Sequence, residues 1–150
     1  MTDSYEISTD PGRLDIPLIH RWLSQSSYWA PGIPLEIVER AIANSLNFGI
    51  YHVKEGQIGF ARVVSDRATF AYLADVFVLE AHRGKGLSKR LMTAVLAHPE
   101  LQYLRRWTLA TRDAHGLYEQ FGFTLPKVAN RIMERVDPDI YARLKSQGGA

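Results

Sequence analysis

The stretch that decides the fold runs Val76-Phe77-Val78-Leu79-Glu80-Ala81-His82-Arg83-Gly84-Lys85-Gly86-Leu87-Ser88. An apolar, strand-like segment ends there in a basic, glycine-spaced turn, and a helical pattern begins directly after that turn. Such a junction points several backbone N–H groups in one direction, where the helix dipole adds positive potential. Glycine at positions 84 and 86 removes Cβ obstruction to a ligand, and four cationic side chains lie between positions 83 and 90. The stretch therefore predicts a pyrophosphate-binding turn.

Two better-known phosphate motifs do not fit this turn. The ATP-type phosphate loop needs Gly-x-x-x-x-Gly-Lys-Ser/Thr, whereas the glycines here are two positions apart. The dinucleotide fingerprint needs a third glycine where Lys89 stands. Basic glycine turns also occur as plain surface turns, and it is the preceding strand and the following helix that favour a binding site.

The whole chain has the size of one compact domain. Its 150 residues, of which 46% are hydrophobic, can bury a real core, so we expect a single domain over 1–150 with a flexible tail at 146–150. Cysteine is absent and the five histidines show no metal-binding spacing, so neither a disulfide nor a metal site is expected. No run approaches the ~20 apolar residues of a membrane span, and no signal-peptide pattern is visible. We therefore expect a cytoplasmic protein without a membrane partner.

Charge is distributed unevenly along the chain. Residues 1–82 contain six basic and ten acidic side chains, whereas residues 83–150 contain twelve basic and six acidic ones. This asymmetry suits an anionic cofactor on one side and a cationic substrate on the other. A nucleic-acid surface is the competing interpretation, but the basic residues concentrate at one turn rather than along an extended stripe. We therefore expect no nucleic-acid partner.

The apolar periodicity predicts a mixed layer of strands and helices. The fold class is α/β of the α+β kind: a single mixed, mostly antiparallel central sheet flanked by helices on both faces. The predicted strands cover 5–8, 48–53, 58–64, 69–79, 107–111 and 128–136, and the predicted helices begin near 10, 35, 87 and 114, with a helical turn at 139–144.

A second motif follows in the segment Ala114-His115-Gly116-Leu117-Tyr118-Glu119-Gln120-Phe121-Gly122-Phe123. It resembles the Ala-x-x-x-Tyr-x-x-x-Gly-Phe element of the GNAT superfamily of acyl-CoA-dependent N-acyltransferases. Arg83, Gly86 and Ser88 resemble the same family's Arg/Gln-x-x-Gly-x-Gly/Ala junction, and the similarity extends over nearly the full length. The resemblance implies a V-shaped splay between two central parallel strands. It also implies that acetyl-CoA is the co-substrate of an N-acetyltransferase acting on a primary amine, in the first place of a small molecule.

The resemblance also implies which residues hold acetyl-CoA. The amides of the turn would bind the pyrophosphate, the strand at 76–78 would pair with the pantetheine arm, and an N–H near Val78 would polarise the thioester carbonyl. The chain departs from the family pattern at Ser88, at Glu80 where proline is frequent, and at Thr111 where asparagine is common. The expected cofactor-binding residues are Val76, Phe77, Val78, Arg83, Gly84, Lys85, Gly86, Leu87, Ser88 and Thr111.

Two residues are the candidates for the chemistry. Tyr118 occupies the family's general-acid position, and a phenol with a reference pKa of ~10 is protonated at neutral pH and available to the leaving thiolate. Asp75 is the best-placed carboxylate to accept the amine proton, because strand alternation puts it on the same face as the apolar residues at 73, 77 and 79. Structural roles stay open for both: a core position for the tyrosine ring, and an ion pair with an arginine for the aspartate. Weaker candidate bases are Glu80, His52 and His82.

The acceptor side is less defined. The resemblance places the acceptor site near the first two helices and the loop between them, where Tyr28 and Trp29 are the expected substrate-binding residues through cation–π contact or stacking. The same rings can instead anchor the loop. The alternatives to small-molecule acetylation are a peptide or protein amine as acceptor, and a non-catalytic acyl-CoA-binding or sensing domain. The oligomeric state is expected to be a monomer or a homodimer.

Overall fold

The computed structural model describes residues 3–148, which form one open sheet with helices on both faces. In this part of the chain, no helix is long and apolar enough to cross a membrane. The strands are β1 (Tyr5–Ser8), β2 (Leu46–His52), β3 (Gly56–Ser65), β4 (Phe70–Val78) and β5 (Arg106–Leu109), and the helices are α1 (Ile16–Ser26), α2 (Leu35–Ala43), α3 (Leu87–Ala97), α4 (His115–Glu119) and α5 (Ile140–Gly148).

The five strands lie in sequence order. β1 to β4 form an antiparallel meander, and β5 pairs with β4 in parallel after the crossover through α3. The predicted fold class is therefore confirmed as a mixed, mostly antiparallel sheet. One detail differs, because β5 is the last strand of the sheet in the described residues and the parallel pair is not central.

Each face of the sheet has its own core. Leu87, Leu91 and Val95 follow helical spacing, and they bury one stripe of α3 against alternate residues of β2, β3 and β4. On the opposite face, α1 and α2 pack around Phe60 and Phe77. Because both faces of the central strands are covered, β2 and β3 are buried over most of their length.

A β-bulge interrupts the pairing of β3 with β4. Phe60 pairs with Phe77 and Arg62 with Ala74, so Asp75 and Val76 together oppose one residue of β3. The extra residue reverses the alternation, so Leu73 faces α3 whereas Phe77 faces α1 and α2. The prediction that residues 73, 75, 77 and 79 share one face is therefore wrong.

The C-terminal region also differs from the prediction. The strand predicted over 128–136 is absent, and the structure has a single 3₁₀ turn there at Ala129–Arg131. A strand needs a hydrogen-bonding neighbour, and no strand among residues 3–148 pairs with this segment. The predicted helical turn at 139–144 is instead the longer helix α5, so residues 146–148 of the predicted tail are helical, and residues 149–150 lie outside the described part.

Candidate active site

The glycine turn at residues 83–88 has the geometry of an anion site. Gly84 and Gly86 adopt φ values of +79° and +73°, on either side of Lys85. An αL residue beside an ordinary one turns successive N–H groups toward a common concavity, and the first turn of α3 adds further N–H groups without helical partners. A Cβ atom at either glycine would meet nothing within 4 Å, so the left-handed backbone is what requires glycine here. Val78, His82, Arg83, Gly84, Gly86, Leu87, Ser88, Lys89 and Leu117 line a cavity of about 200 Å³ at this turn.

The end of β4 is fixed to this turn. Arg83 donates from Nε to the carbonyl oxygen of Val78 at 2.9 Å. Leu79 donates its N–H to Ile58 of β3 at 2.8 Å. Because successive strand residues point their backbone groups to opposite sides, the Val78 N–H points away from β3, toward the side on which β4 has lost its neighbour.

A cleft opens where β4 and β5 separate. Their ladder runs from Phe70–Arg106 to Leu73–Leu109 and then ends, directly before the bulge at Asp75. The gap beyond has a volume of about 450 Å³ and is lined by Ala74 to Val76 on one side and Ala110 to Asp113 on the other. Val76 lines this cleft and Val78 lines the cavity at the turn, so the two spaces lie in series along β4. The separation has the form of the V-shaped splay expected from the sequence.

Tyr118 stands on the wall of the cleft. Its ring is only 8% exposed and lies edge-to-face with Phe123, at 6.0 Å between centroids. Burial, with a smaller contribution from the nearby Tyr28 phenol, raises the pKa of Tyr118 to about 12. The hydroxyl is therefore a protonated donor at any physiological pH.

The loop between α1 and α2 crosses the cleft as an aromatic strap, which we define as residues 27–30. Tyr28 accepts a hydrogen bond on its hydroxyl from the Arg112 N–H at 2.8 Å, and the Arg112 guanidinium lies 4.0 Å from the Tyr28 ring centroid. Trp29 donates from Nε1 to Asp75 Oδ1 at 2.9 Å. The strap is thus held to the segment after β5 at one residue and to the bulge of β4 at the next.

Asp75 uses both carboxylate oxygens within the protein. Oδ2 accepts from Arg62 Nε at 2.7 Å, while Oδ1 accepts from Trp29. Arg62 also donates to Ser45 Oγ at 3.0 Å. Asp75 lies at φ +56°, in the left-handed region that Asp tolerates better than most residues. Arg62, a charged residue within the apolar run of β3, was the signal in the sequence that Asp75 has an internal partner.

The match to known families identifies the chain. Residues 44–125 match the model of the acetyltransferase (GNAT) domain. The chain belongs to the GNAT acetyltransferase family. A candidate acetyltransferase of Gibberella zeae is 30% identical over 135 residues, covering 76% of this chain and 75% of that protein.

Solved structures agree with the GNAT assignment. A candidate GNAT-family acetyltransferase from Xanthomonas campestris pv. campestris is 57% identical, with a TM-score of 0.90, and the match covers 95% of this chain and 99% of that one. A candidate acetyltransferase from Deinococcus radiodurans R1 is 20% identical with a TM-score of 0.72, covering 95% and 97% of the two chains, and shares the fold.

Most of the predicted site residues line one of the two spaces of this GNAT chain. Tyr28, Trp29, Asp75, Val76, Thr111 and Tyr118 line the cleft, and Val78, Arg83, Gly84, Gly86, Leu87 and Ser88 line the cavity at the turn. Two predicted residues line neither: Phe77 is 4% exposed in the core with Trp22 stacked on it at 4.3 Å, and Lys85 points toward Tyr5.

Thr111 also stabilises the start of α4, because its Oγ1 accepts a hydrogen bond from the Ala114 N–H at 3.0 Å. Sequence reasoning missed Arg112, which carried no motif. Among residues 3–148, no group of three or more His, Asp or Glu side chains is arranged to hold a metal ion.

Proposed function

We propose that this protein transfers the acetyl group of acetyl-CoA directly to a primary amine of a small molecule, with Tyr118 as the general acid. The observation that carries the proposal is the position of Tyr118 on the wall of the cleft, in series with the amide-rich turn along β4. The proposal is supported because a protonated hydroxyl and an amide-rich turn both lie beside the end of the same strand.

The residues of the path fit an acyl-CoA. The amides from Arg83 to Ser88 would hold the pyrophosphate, and Lys89 beside them would contribute charge. The free edge of β4 at 76–78 would pair with the pantetheine amides as an added strand, with the Val78 N–H directed at the carbonyl oxygen. Thr111, across the cleft, has a hydroxyl proton left to donate.

Tyr118 supplies the proton that the sulfur needs. In direct transfer, the amine nitrogen bonds to the carbonyl carbon, the C–S bond breaks, and the sulfur takes a proton while the nitrogen loses one. With a pKa of about 12 against ~8.5 for a thiol, donation from Tyr118 to a solvated thiolate is uphill by roughly 5 kcal/mol. A thiolate released into the same buried cleft is also desolvated, which raises its pKa toward that of Tyr118 and narrows this gap.

The size of the cleft supports a small acceptor. A volume of about 450 Å³ falls within the ~300–1,000 Å³ of small-molecule sites, and the aromatic strap crosses the opening that a peptide would need. Tyr28 and Trp29, exposed at 43% and 40%, offer ring faces to the amine. Asp75 is the candidate base, although its two internal hydrogen bonds favour a structural role.

The test removes the hydroxyl group of Tyr118. Tyr118→Phe should lower kcat by about 10²-fold or more, as loss of a general acid does, and leave the dissociation constant of acetyl-CoA unchanged. Free thiol release with a panel of small amines measures kcat, and calorimetry measures binding. Tyr103→Phe is the matched control, because Tyr103 is fully exposed at 101% and should change neither quantity.

The other outcomes separate the alternatives. An absence of thermal stabilisation by acetyl-CoA would refute the proposal. Binding of acetyl-CoA with no thiol release for any amine would indicate a non-catalytic acyl-CoA-binding or sensing domain, and release only with peptides would indicate a protein amine. A cytoplasmic location, a monomeric or homodimeric state and the absence of nucleic-acid and membrane partners remain part of the proposal.

A further inference from the structure

We propose that Tyr5, His82 and Glu55 are positioning residues that hold Lys85 and the phosphate-binding turn in place for the anionic donor. The proposal rests on the proposed function, because it assigns these residues to the binding of acetyl-CoA at that turn. Tyr5 and Glu55 lie outside the two motifs of the sequence, and His82 directly precedes Arg83 of the first one.

Hydrogen bonds link Lys85, Tyr5 and His82, and the Glu55 carboxylate faces the other ring nitrogen of His82. Lys85 Nζ lies 3.3 Å from the Tyr5 hydroxyl, which lies 2.7 Å from His82 Nδ1. His82 Nε2 lies 3.3 Å from Glu55 Oε1. His82 is 4% exposed and its side chain also lines the cavity at the turn. A buried polar side chain at the wall of the anion site is thus connected to a cation on the outer side of the same turn.

The chemistry of the groups indicates the direction of these contacts. A carboxylate can only accept a hydrogen bond, so Glu55 favours the His82 tautomer whose proton is on Nε2. In the neutral imidazole Nδ1 is then an acceptor, and Tyr5 donates its hydroxyl proton to it. The Tyr5 oxygen is left to accept from Lys85, whose ammonium can only donate. The hydrogen bonds therefore run from Lys85 to Tyr5 and from Tyr5 to His82, and Glu55 lies beside the other nitrogen of the imidazole.

The contacts among these four side chains connect the turn to two other segments. Tyr5 lies on β1, and Glu55 lies in the connection between β2 and β3. That connection is fixed by His52, whose Nδ1 accepts from the N–H groups of Lys54 and Glu55 at 3.2 and 3.3 Å. The ring of Tyr5 packs edge-to-face on His82 at 5.6 Å between centroids.

Lys85 is the residue that this scaffold holds. Lys85 stands between two αL glycines. A lysine side chain that is free in solution loses conformational entropy when it binds a phosphate. One hydrogen bond to Tyr5 restricts the ammonium before the donor arrives, and two N–H donors remain for phosphate oxygens. Pre-organisation of this kind raises affinity without changing the chemical step.

The experiment removes the Tyr5 hydroxyl and keeps its ring. Tyr5→Phe should raise both the dissociation constant and the KM of acetyl-CoA by about fivefold, the ratio for one lost hydrogen bond, with kcat unchanged. Tyr51→Phe is the matched control on the neighbouring strand, because its buried hydroxyl has no hydrogen-bond partner among the described residues and lines neither space. It should leave binding and kcat as in the wild type.

A double-mutant cycle separates positioning from simple packing. If Tyr5 acts through Lys85, Tyr5→Phe should have no further effect on acetyl-CoA binding in a Lys85→Met background. Additive losses, or a Tyr5→Phe variant that binds like the wild type, would overturn this inference and leave the proposed function standing. A wild-type protein that does not bind acetyl-CoA would overturn both.

Discussion

Replacing Asp75 tests whether its carboxylate is a catalytic base or a structural clamp that holds Trp29 and Arg62. Asp75→Asn keeps an acceptor oxygen for Trp29 and a side chain that tolerates φ +56°, but it removes the charge that faces Arg62. Asp75→Ala removes both contacts and places a residue in the left-handed region that disfavours it. Both variants lack the carboxylate, so neither has the candidate base. They should differ in stability, because only Asp75→Ala also loses the Trp29 contact.

The structure sets the size of each effect. The Arg62 contact is a charge-assisted hydrogen bond between half-buried groups, worth about 1.5–3 kcal/mol, and Asp75→Asn should lose about that much free energy of unfolding. Asp75→Ala also loses the Trp29 hydrogen bond and gains backbone strain, which brings the loss to about 4 kcal/mol. Urea unfolding followed by tryptophan fluorescence measures both values.

Turnover then distinguishes the two roles. As a clamp, Asp75 holds the aromatic strap, so Asp75→Asn should keep kcat within a few-fold of the wild type, while Asp75→Ala should raise the KM of the amine. As a base, Asp75 is missing equally in both variants, and each should lose about 10²-fold or more in kcat. A loss of that size in a stably folded Asp75→Asn protein would refute the clamp.

Two further predictions concern the turns. Gly86→Ala should lower the free energy of unfolding by about 1–2 kcal/mol, because Gly86 has a left-handed φ of +73°. Gly116→Ala in α4, where a Cβ atom would meet equally open space, should raise the free energy of unfolding by up to ~1 kcal/mol. Equal effects of the two substitutions in chemical denaturation would contradict this prediction. Hydrogen bonds from the Thr69 hydroxyl and from the Thr69 and Ala68 N–H groups hold the pKa of Asp66 far below its usual range. A lowered native pKa contributes stability above about pH 4 that is lost as the pH falls, so the difference in Tm between wild type and Asp66→Asn should shrink from about pH 5 to pH 2, and a constant difference would contradict the assignment.

The donor half of the site could be predicted because its signals are local. A strand, two glycines in a basic turn and a helix lie within thirteen consecutive residues, and the Tyr118 segment has a spacing of its own. Each depends on neighbours along the chain, so one sequence contains the information. The mostly antiparallel sheet was predicted from signals of the same kind, because short connections join consecutive strands as antiparallel neighbours.

The remaining features depend on partners distant in sequence. The contacts from Lys85 through Tyr5 and His82 to Glu55 join the turn to β1 and to the connection after β2. No spacing in the sequence indicates that these residues come together. The segment 128–136 has the composition of a strand, but none of the strands among residues 3–148 pairs with it, and a local pattern does not report whether a distant edge will be used. The bulge at Asp75 was missed for the same reason, because alternation along β4 predicts a face and cannot predict an extra residue.

The bulge connects the two halves of the site. A non-glycine residue held at φ +56° costs on the order of 1–3 kcal/mol and persists only where neighbours compensate it. Here Arg62 and Trp29 provide that compensation, since they bind the carboxylate that the strained backbone points toward them. The ladder between β4 and β5 ends at the Leu73–Leu109 pair, just before this bulge, so the strained residue lies where the cleft begins. Relieving the strain would therefore move the carboxylate that binds Trp29 and release the aromatic strap from β4, which is a physical reason for β4 to retain an irregular residue beside the cleft.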